Sequence, residues 1–421
     1  MVQVGGTRPG GYRARLVDDR LEAAIRQLPA VSLVGPRACG KTTTAARYAA
    51  SVVRLNRDAE AAAFRADPDV ALRRMTEPVL LDEWQEVPAV LSAVKRAVDD
   101  DSRPGRFILT GSVSAELTTS SWPGTGRITR IPMSGMTTRE ARGALPGRLF
   151  VDRLHDGDAS AFAPAVGDRF DLGDIVDLAV AGGFPDPLLN RDDTGRRFWM
   201  ESYLDELVHH DAALVRAGID SGRFARYIEA IAVNNAGVVD DKTIFDSVHI
   251  DRRTANAYWH LLKNLFIAEA VPAWWSNRLT RLVSLEKRYL ADTALMATAL
   301  RLAPNQILRD GDLLGRIIDA FVAMQIRPEL TVSPNRPRRY HLRDKGGRHE
   351  VDLVVEYGGG RVAGIEIKAT ASPDAHDARH LAWLRDHLGD RFILGVVLHT
   401  GPLDFELGER IIAAPISTLW A

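Results

Sequence analysis

The sequence predicts an α/β protein in three parts: a parallel-sheet core organised by a glycine-hinged loop, a helical middle, and a second α/β unit towards the C-terminal end. Three observations lead there. The apolar run Val31-Ser-Leu-Val34 enters a glycine-hinged loop and then a helix-forming stretch. A second apolar run, Pro78-Val-Leu-Leu81, ends in the carboxylates Asp82 and Glu83. Further on, two short alternating runs carry Asp352, Glu366 and Lys368 at strand-like spacing.

Totals narrow the choices. A chain of 421 residues suits roughly two to four domains. Hydrophobic content of 46% and charged content of 26% are those of an ordinary globular protein. A net charge of −1 supplies no global field, so nucleic-acid binding would need local patches. The lone cysteine, Cys39, excludes an internal disulfide framework and a cysteine-rich zinc site, and it suits the cytoplasm. No apolar run reaches the ~18–20 residues of a membrane span, so no membrane partner is expected. Residues 1–17, with glycines among arginines, lack the apolar centre of a signal peptide and are expected to be a flexible lead-in.

The core is expected over residues 18–150. Asp18 to Leu28 has helical spacing, and Ala30 to Val34 is the first strand. The loop reads Gly35-Pro36-Arg37-Ala38-Cys39-Gly40-Lys41-Thr42-Thr43, a GxxxxGKT pattern. Its glycines let several N–H groups converge on a phosphate, and the following helix aims its positive end there. Lys41 would hold the β- and γ-phosphates, and the Thr42 hydroxyl would ligate Mg²⁺. The nucleotide expected is ATP. A helix is expected from Thr42 to Ala50, a strand from Val52 to Leu55, and an Ala-rich helix from Asp58 to Arg74 broken near Pro68. Asp82 would hold Mg²⁺ through water and Glu83 would polarise the attacking water, whereas Trp84 reads as packing. Arg106-Phe-Ile-Leu-Thr110-Gly111-Ser112 repeats the design, so Thr110 or Ser112 is a candidate γ-phosphate sensor beside the plainer reading of a strand-to-turn transition. Arg127 or Arg130 is a candidate for stabilising phosphoryl charge, in cis or from a neighbouring subunit, weighed against solvated arginines.

The middle, residues 151–300, is expected to be helical, with Gly182-Gly183-Phe184-Pro185 as a firm break. Arg196 to Leu214 reads as one long helix. It carries His209 and His210, which are adjacent and so do not share a face for a metal. Helices at Arg223–Val233, Lys242–Val248 and Ile250–Leu265 precede a hairpin expected from Phe266–Val271 and Leu282–Leu285. That order matches a winged helix, whose third helix offers Arg252, Arg253, Asn256 and His260 to phosphates or bases, or else packs against protein as part of an interdomain spacer. Trp274 and Trp275 read as packing residues.

Residues 301–421 form the last unit. Leu313 to Ile326 is an amphipathic helix containing Asp319. A basic, proline-broken stretch from Pro334 to Arg348 suits a nucleic-acid backbone. Glu350–Glu356 and Val362–Lys368, joined by a triple-glycine turn, read as paired strands. Alternation puts Glu350 with Asp352 and Glu366 with Lys368 on shared faces. Asp352 and Glu366 would then hold Mg²⁺ against a phosphodiester, with Lys368 assisting. This Asp…Glu-x-Lys arrangement is the metal-nuclease pattern of restriction-endonuclease-like folds, and two ordinary polar strand faces would give the same alternation.

Taken together, the loop, Leu81-Asp82-Glu83, Leu109-Thr110-Gly111-Ser112, Gly182-Gly183-Phe184-Pro185, Asp292-Thr293, Glu350-Val-Asp352, Glu366-Ile-Lys368 and Leu419-Trp420 give a resemblance over nearly the whole chain. The chain resembles the bacterial and archaeal AAA-type ATPases that carry a C-terminal domain of unknown function with a restriction-endonuclease-like core. The resemblance implies ATP binding with hydrolysis, a winged-helix middle and a nuclease-like end, with Asp319 as an outer metal ligand where the family usually shows Glu. His210-Asp211 stands where an Arg-Asp pair is more usual. The expected function is a Mg²⁺-dependent ATPase coupled to a DNA-directed nuclease-like domain. The alternative is a nucleotide-gated DNA- or protein-binding regulator whose nuclease fold is idle. DNA is the expected partner, and a homo-oligomer is compatible with the resemblance.

Overall fold

The computed structural model describes residues 11–113, 124–163, 170–211, 219–275, 285–344 and 347–421. The first sheet contains β1 (Ala30–Val34), β2 (Ser51–Arg54), β3 (Val79–Asp82), β4 (Phe107–Gly111) and β5 (Ile128–Pro132). Their order is β2-β3-β4-β1-β5, and every neighbouring pair is parallel. Strands of this kind are buried on both faces, which is why β3 and β4 begin as continuous apolar runs, Val79–Leu81 and Phe107–Leu109, before their polar tips. Parallel pairing also brings all the strand C-termini to one edge. Val34 lies beside Gly111, and Leu81 beside Leu109. The loop after β1 and the acidic tip of β3 are therefore neighbours.

Two expectations about the core need correction. The helix expected from Thr42 to Ala50 is α-helical only over Lys41–Ala45 and tightens to a 3₁₀ turn at Ala46–Tyr48. Residues 11–17, assigned to a flexible lead-in, are docked. Tyr12 donates to Asp18 at 2.6 Å and lies under the Arg47 guanidinium, and Arg15 is buried. Residues 1–10 lie outside the described residues.

In the middle, helices Ser221–Val233, Asp241–Ser247 and Arg252–Asn264 precede the antiparallel pair β6 (Ala268–Val271) and β7 (Lys287–Leu290). The second strand of the described pair is Lys287–Leu290, and the expected 282–285 lies, except for Leu285, outside the described residues. Lys287 and Tyr289 both reach Asp319, and alternation alone does not mark them as buried. The expected long helix is α-helical over Asp193–Glu206 and widens to a π-turn at Leu207–Asp211.

The second large sheet contains β8 (Arg338–Arg343), β9 (Glu350–Glu356), β10 (Val362–Ile367), β11 (Phe392–His399), β12 (Phe405–Gly408) and β13 (Ile411–Pro415), ordered β12-β13-β11-β10-β9-β8. β9 and β10 form the expected antiparallel pair, with Leu353 opposite Ile365. Helix Arg379–Leu388 covers one face. The other face rests on helix Gly311–Val332, longer than the expected 313–326 and continuing through Pro328. One apolar core runs from Phe150 through the middle helices to Trp420. This core includes residues on both sides of the expected boundaries at 150/151 and 300/301. Helix Phe150–Asp156 packs on the C-terminal sheet, where Tyr357 donates to the carbonyl of Val151 at 2.5 Å. Among the described residues no helix is long and apolar enough to cross a membrane.

Helix Gly311–Val332 carries Glu329, which is buried and accepts from Val151 N at 3.1 Å. Burial pushes its carboxyl up from 4.5 to about 7, against the opposing pull of Arg139 and Arg153. Between those values the folded chain holds the proton and the unfolded chain has lost it, so stability falls as pH rises through this window. We expect Glu329→Gln to remove this loss, stabilising the protein on the order of 1–3 kcal/mol near neutral pH and little in acid. Melting temperatures of both proteins across the window check this. Parallel curves would show that Glu329 does not titrate there.

Candidate nucleotide site and the C-terminal acidic cluster

The loop Gly35–Gly40 is built by close backbone approach. A Cβ on Gly35 would lie 2.0 Å from the Met133 carbonyl oxygen, so only glycine lets the loop lie against the end of β5. Gly40 has φ +102° and Ala38 has φ +60°, both left-handed. Cys39 is buried with Sγ 3.5 Å from the Met133 carbonyl, whereas Ala38 and Thr43 are exposed and Pro36 is buried. Arg15, which by sequence belongs to the lead-in, holds the loop from behind. It donates to the carbonyls of Cys39 at 2.9 Å and Ser134 at 2.8 Å and pairs with Glu140 at 3.1 Å. Its place in a glycine- and arginine-rich stretch gives no periodic signal. Glu140 in turn closes a capping box with Thr137.

The chemistry-bearing side chains meet at the sheet edge. Lys41 is buried, and its Nζ donates to the carbonyls of Gly35 at 3.0 Å and Pro36 at 2.8 Å. Thr42 Oγ1 donates to Asp82 Oδ1 at 2.6 Å, and Thr110 Oγ1 donates to the same oxygen at 2.5 Å. Burial raises the Asp82 carboxyl, and these two hydroxyls oppose that shift. Glu83 sits at φ +52°, which turns its side chain off the strand line. Ser112 Oγ lies 3.2 Å from Glu83 Oε2, and Gln85 donates to that oxygen as well. Trp84 packs on Gly111, where an added Cβ would fall 2.4 Å from the indole nitrogen. Beside Glu83 and Arg37 is a cavity of about 500 Å³, walled across the gap by Trp199, Ser202, Tyr203 and Glu206 of the middle helix. The loop, a hydroxyl and a carboxylate at metal-binding spacing, and a roomy polar cavity fit a magnesium–nucleotide complex.

Arg127 does not join this site. Parallel register puts Ile128 beside Ala30, so Arg127 lies at the opposite edge of the sheet from the loop, paired with Asp99 at 2.8 Å. A role in cis is excluded for it by that direction. Arg130 sits midway along β5, level with Ser32.

The helical region reaches the core through the Gly182-Gly183-Phe184-Pro185 break. Asp292, buried, accepts from Gly183 N and Ala294 N at 2.8 Å each, and burial pushes its carboxyl to about 6. Gly183 O accepts from Met136 N at 2.5 Å, just beyond β5. Arg252, Arg253, Asn256 and His260 are all exposed on their helix, and Trp274 is buried, as expected.

At the C-terminal end the expected residues converge, but with an addition. Asp352 Oδ2 accepts from Ile367 N at 2.9 Å, and Lys368 donates to Glu366 Oε2 at 3.1 Å. Asp319 accepts from Tyr289 OH at 2.8 Å and from the ammonium of Lys287. Lys287 Nζ also lies 3.6 Å from Asp352 Oδ1 and donates to the Asp352 carbonyl at 3.3 Å. Nothing in the sequence singles out Lys287. It belongs to β7, in the helical middle, and only pairing of that strand with β6 directs it here. Among the described residues no group of three or more His, Cys, Asp or Glu is arranged to hold a metal. A cation of the chain, Lys287, lies among Asp319, Asp352 and Glu366, the residues expected to hold a metal. The basic stretch is also divided. Arg336, Arg338, Arg343 and Arg348 are exposed, whereas Arg339 is drawn inward to Glu269 at 2.6 Å and His341 is buried. Lys345 lies outside the described residues.

Comparison with known proteins agrees with the core. Residues 27–142 match the family described as AAA domain. Residues 172–306 and 314–419 match two families described as domains of unknown function, DUF8612 and DUF4143. Two uncharacterised proteins, of Mycobacterium bovis and Mycobacterium tuberculosis, are each 25% identical over 401 residues, covering 94% of this chain and 82% of theirs. Among solved structures, a Walker-type ATPase of Pyrococcus abyssi is 16% identical with a TM-score of 0.41, over 68% of this chain and 94% of its own. A mutant of Thermotoga maritima RuvB is 17% identical with a TM-score of 0.27, over 61% and 88%. Both superpositions are loose, and the assignment of the core rests on the family match and the loop instead. Residues 27–142 are an AAA-type P-loop domain of the nucleotide-binding kind.

Because the Gly35 clash is with backbone, no side chain can move to relieve it. Gly35→Ala should cost about 1–3 kcal/mol of stability and weaken nucleotide binding, read by thermal melts and a fluorescent-nucleotide titration. Unchanged values in both would mean the loop does not rest on Met133.

Proposed function

We propose that this protein hydrolyses ATP at the Gly35–Thr43 loop and passes the state of that site to a restriction-endonuclease-like C-terminal unit that engages DNA. The observation that carries the first part is the meeting of Lys41, Thr42, Asp82, Thr110 and Glu83 at one sheet edge. Lys41 Nζ, held by loop carbonyls, is ready to exchange them for phosphate oxygens. Thr42 Oγ1 and Asp82 are the groups that would hold Mg²⁺, which when bound would offset charge on the phosphates. Glu83 takes the proton of an attacking water, and Ser112 and Gln85 keep its carboxylate oriented. Thr110, bonded to Asp82 and lying 3.3 Å from Glu83 N, ties metal holder and base to β4.

Two contacts support the transmission. The middle helix walls the cavity beside Arg37 and Glu83, with Tyr203 OH donating to the Arg37 carbonyl at 3.4 Å. Arg139, in the last helix of the core, donates to the carbonyls of Leu419 at 3.2 Å and Ala421 at 3.0 Å. The DNA-facing part is supported by the exposed Arg343 and Arg348 beside a stack of His349, Trp383 and His387, with centroids 4.1 and 5.3 Å apart. Cations near half-buried aromatic rings suit a nucleic-acid strand. The exposed face of helix Arg252–Asn264, in the winged-helix reading of the middle, adds Arg252 and Arg253.

Lys41→Ala should abolish nucleotide binding. Glu83→Gln should keep binding and lower turnover by about two orders of magnitude or more. Phosphate release and nucleotide titration check both, and normal turnover in Glu83→Gln would remove Glu83 from its role. For DNA, Arg343→Ala with Arg348→Ala should weaken binding to linear duplex and reduce the log–log salt slope by about one per arginine. Binding with no salt dependence, or none at all, would direct this surface to a protein partner instead.

A further inference from the structure

The C-terminal cluster holds carboxylates in the arrangement that suggested a metal site, yet all but one of its oxygens are already engaged. Asp319 Oδ1 takes the Tyr289 hydroxyl and Oδ2 the Lys287 ammonium. Asp352 Oδ2 takes Ile367 N, and its Oδ1 faces Lys287 at 3.6 Å. Glu366 Oε2 takes Lys368. Of these carboxylate oxygens, only Glu366 Oε1 is buried without a partner among the described residues. A single carboxylate oxygen, with an ammonium between its neighbours, is a poor seat for a doubly charged ion.

Lys287 is not a surface residue that has drifted in. It is 3% exposed, and it enters from a strand whose next residue, Arg288, faces the other way onto Asp241 and over the Trp259 ring at 4.6 Å. β7 is thus pinned on both faces: Lys287 and Tyr289 to the C-terminal unit, Arg288 to the helical middle. An ordinary strand would gain little from burying an ammonium, because desolvation opposes it unless the charge is matched. Asp319 and Asp352 supply the match.

We infer that Lys287 is the resident cation of this carboxylate cluster, which takes no divalent metal and cuts no DNA, and which instead locks β7 to the C-terminal sheet. In this arrangement Asp319 and Asp352 are positioning residues for Lys287. The unit retains the face that meets DNA and lacks the ion needed to break a phosphodiester.

The test is run on the full chain without nucleotide, so that it succeeds or fails apart from the ATPase reading. Free Mn²⁺ is measured by electron paramagnetic resonance while wild type, Lys287→Met, and Lys287→Met with Asp352→Asn are titrated. Wild type should show no stoichiometric Mn²⁺ site, and linear and single-stranded DNA should stay intact with Mn²⁺. Lys287→Met, if folded by circular dichroism, should gain a site about tenfold or more tighter than anything in wild type, lost again with Asp352→Asn. A stoichiometric wild-type site removed by Asp352→Asn would overturn the inference, as would DNA cleavage abolished by Asp352→Ala. So would a folded Lys287→Met that binds no more Mn²⁺ than wild type. Should Lys287→Met fail to fold, the wild-type titration and the cleavage assay decide alone.

Discussion

The helix Gly311–Val332 constrains everything around it. It is 22 residues long and buried over much of its length, so Asp319, Gln325, Arg327 and Glu329 on it draw partners from inside the protein. Each partner comes from a different part of the chain. Asp319 takes Lys287 and Tyr289 from β7. Gln325 accepts from Thr138 N, at 2.7 Å, at the end of the AAA-type core. Arg327 donates to Glu269 of β6 at 2.7 Å and to the Ala291 carbonyl. Glu329 accepts from Val151 N. One buried rod therefore fixes the core, the hairpin and the last sheet at once. Leaving any of these groups unpaired would cost about 1–3 kcal/mol or more.

The nucleotide site gains rigidity from a related device. Its working groups lie on a sheet edge that parallel pairing creates, but the loop is steadied from outside the sheet. Arg15 holds Cys39 O and Ser134 O, and Met133 O crowds Gly35. The same strand exit, Ser134 to Met136, receives Gly183. Movement of the loop therefore has a short mechanical route to the helical region, through backbone groups and not through flexible side chains. Glu269 offers a second coupling point. Although burial opposes ionisation, Arg327 and Arg339 hold its carboxyl down at about 2, so the hairpin remains ion-paired to the long helix at any ordinary pH.

The two acidic sites show how similar residue types reach different ends. Around Asp82 the neighbours are hydroxyls, which can reorient and share a carboxylate with an arriving ion. Around Asp319 and Asp352 the neighbour is a buried ammonium, which brings its own charge and cannot be displaced without leaving a lysine unpaired. A carboxylate's chemistry is set by what its second partner is, and that partner is distant in sequence in both cases.

What the sequence determined by itself was local. The GxxxxGKT loop, the Asp82-Glu83 strand end, the β9–β10 hairpin and the helices of the middle are legible because each depends on spacing within a few residues: hydrophobic period, a glycine hinge, a strand tip. The nucleotide-binding core was readable for the same reason, since parallel pairing sends every strand tip to one edge. Only the tertiary structure decided which distant groups are neighbours. Arg127 was kept from a role in cis by register, Arg15 was recruited from ahead of the first helix, and Lys287 was delivered to Asp319 and Asp352 by a strand pairing with no local signature. Charges buried together over such separations leave no periodic trace, because the interaction that selects them exists only once the chain has closed around it.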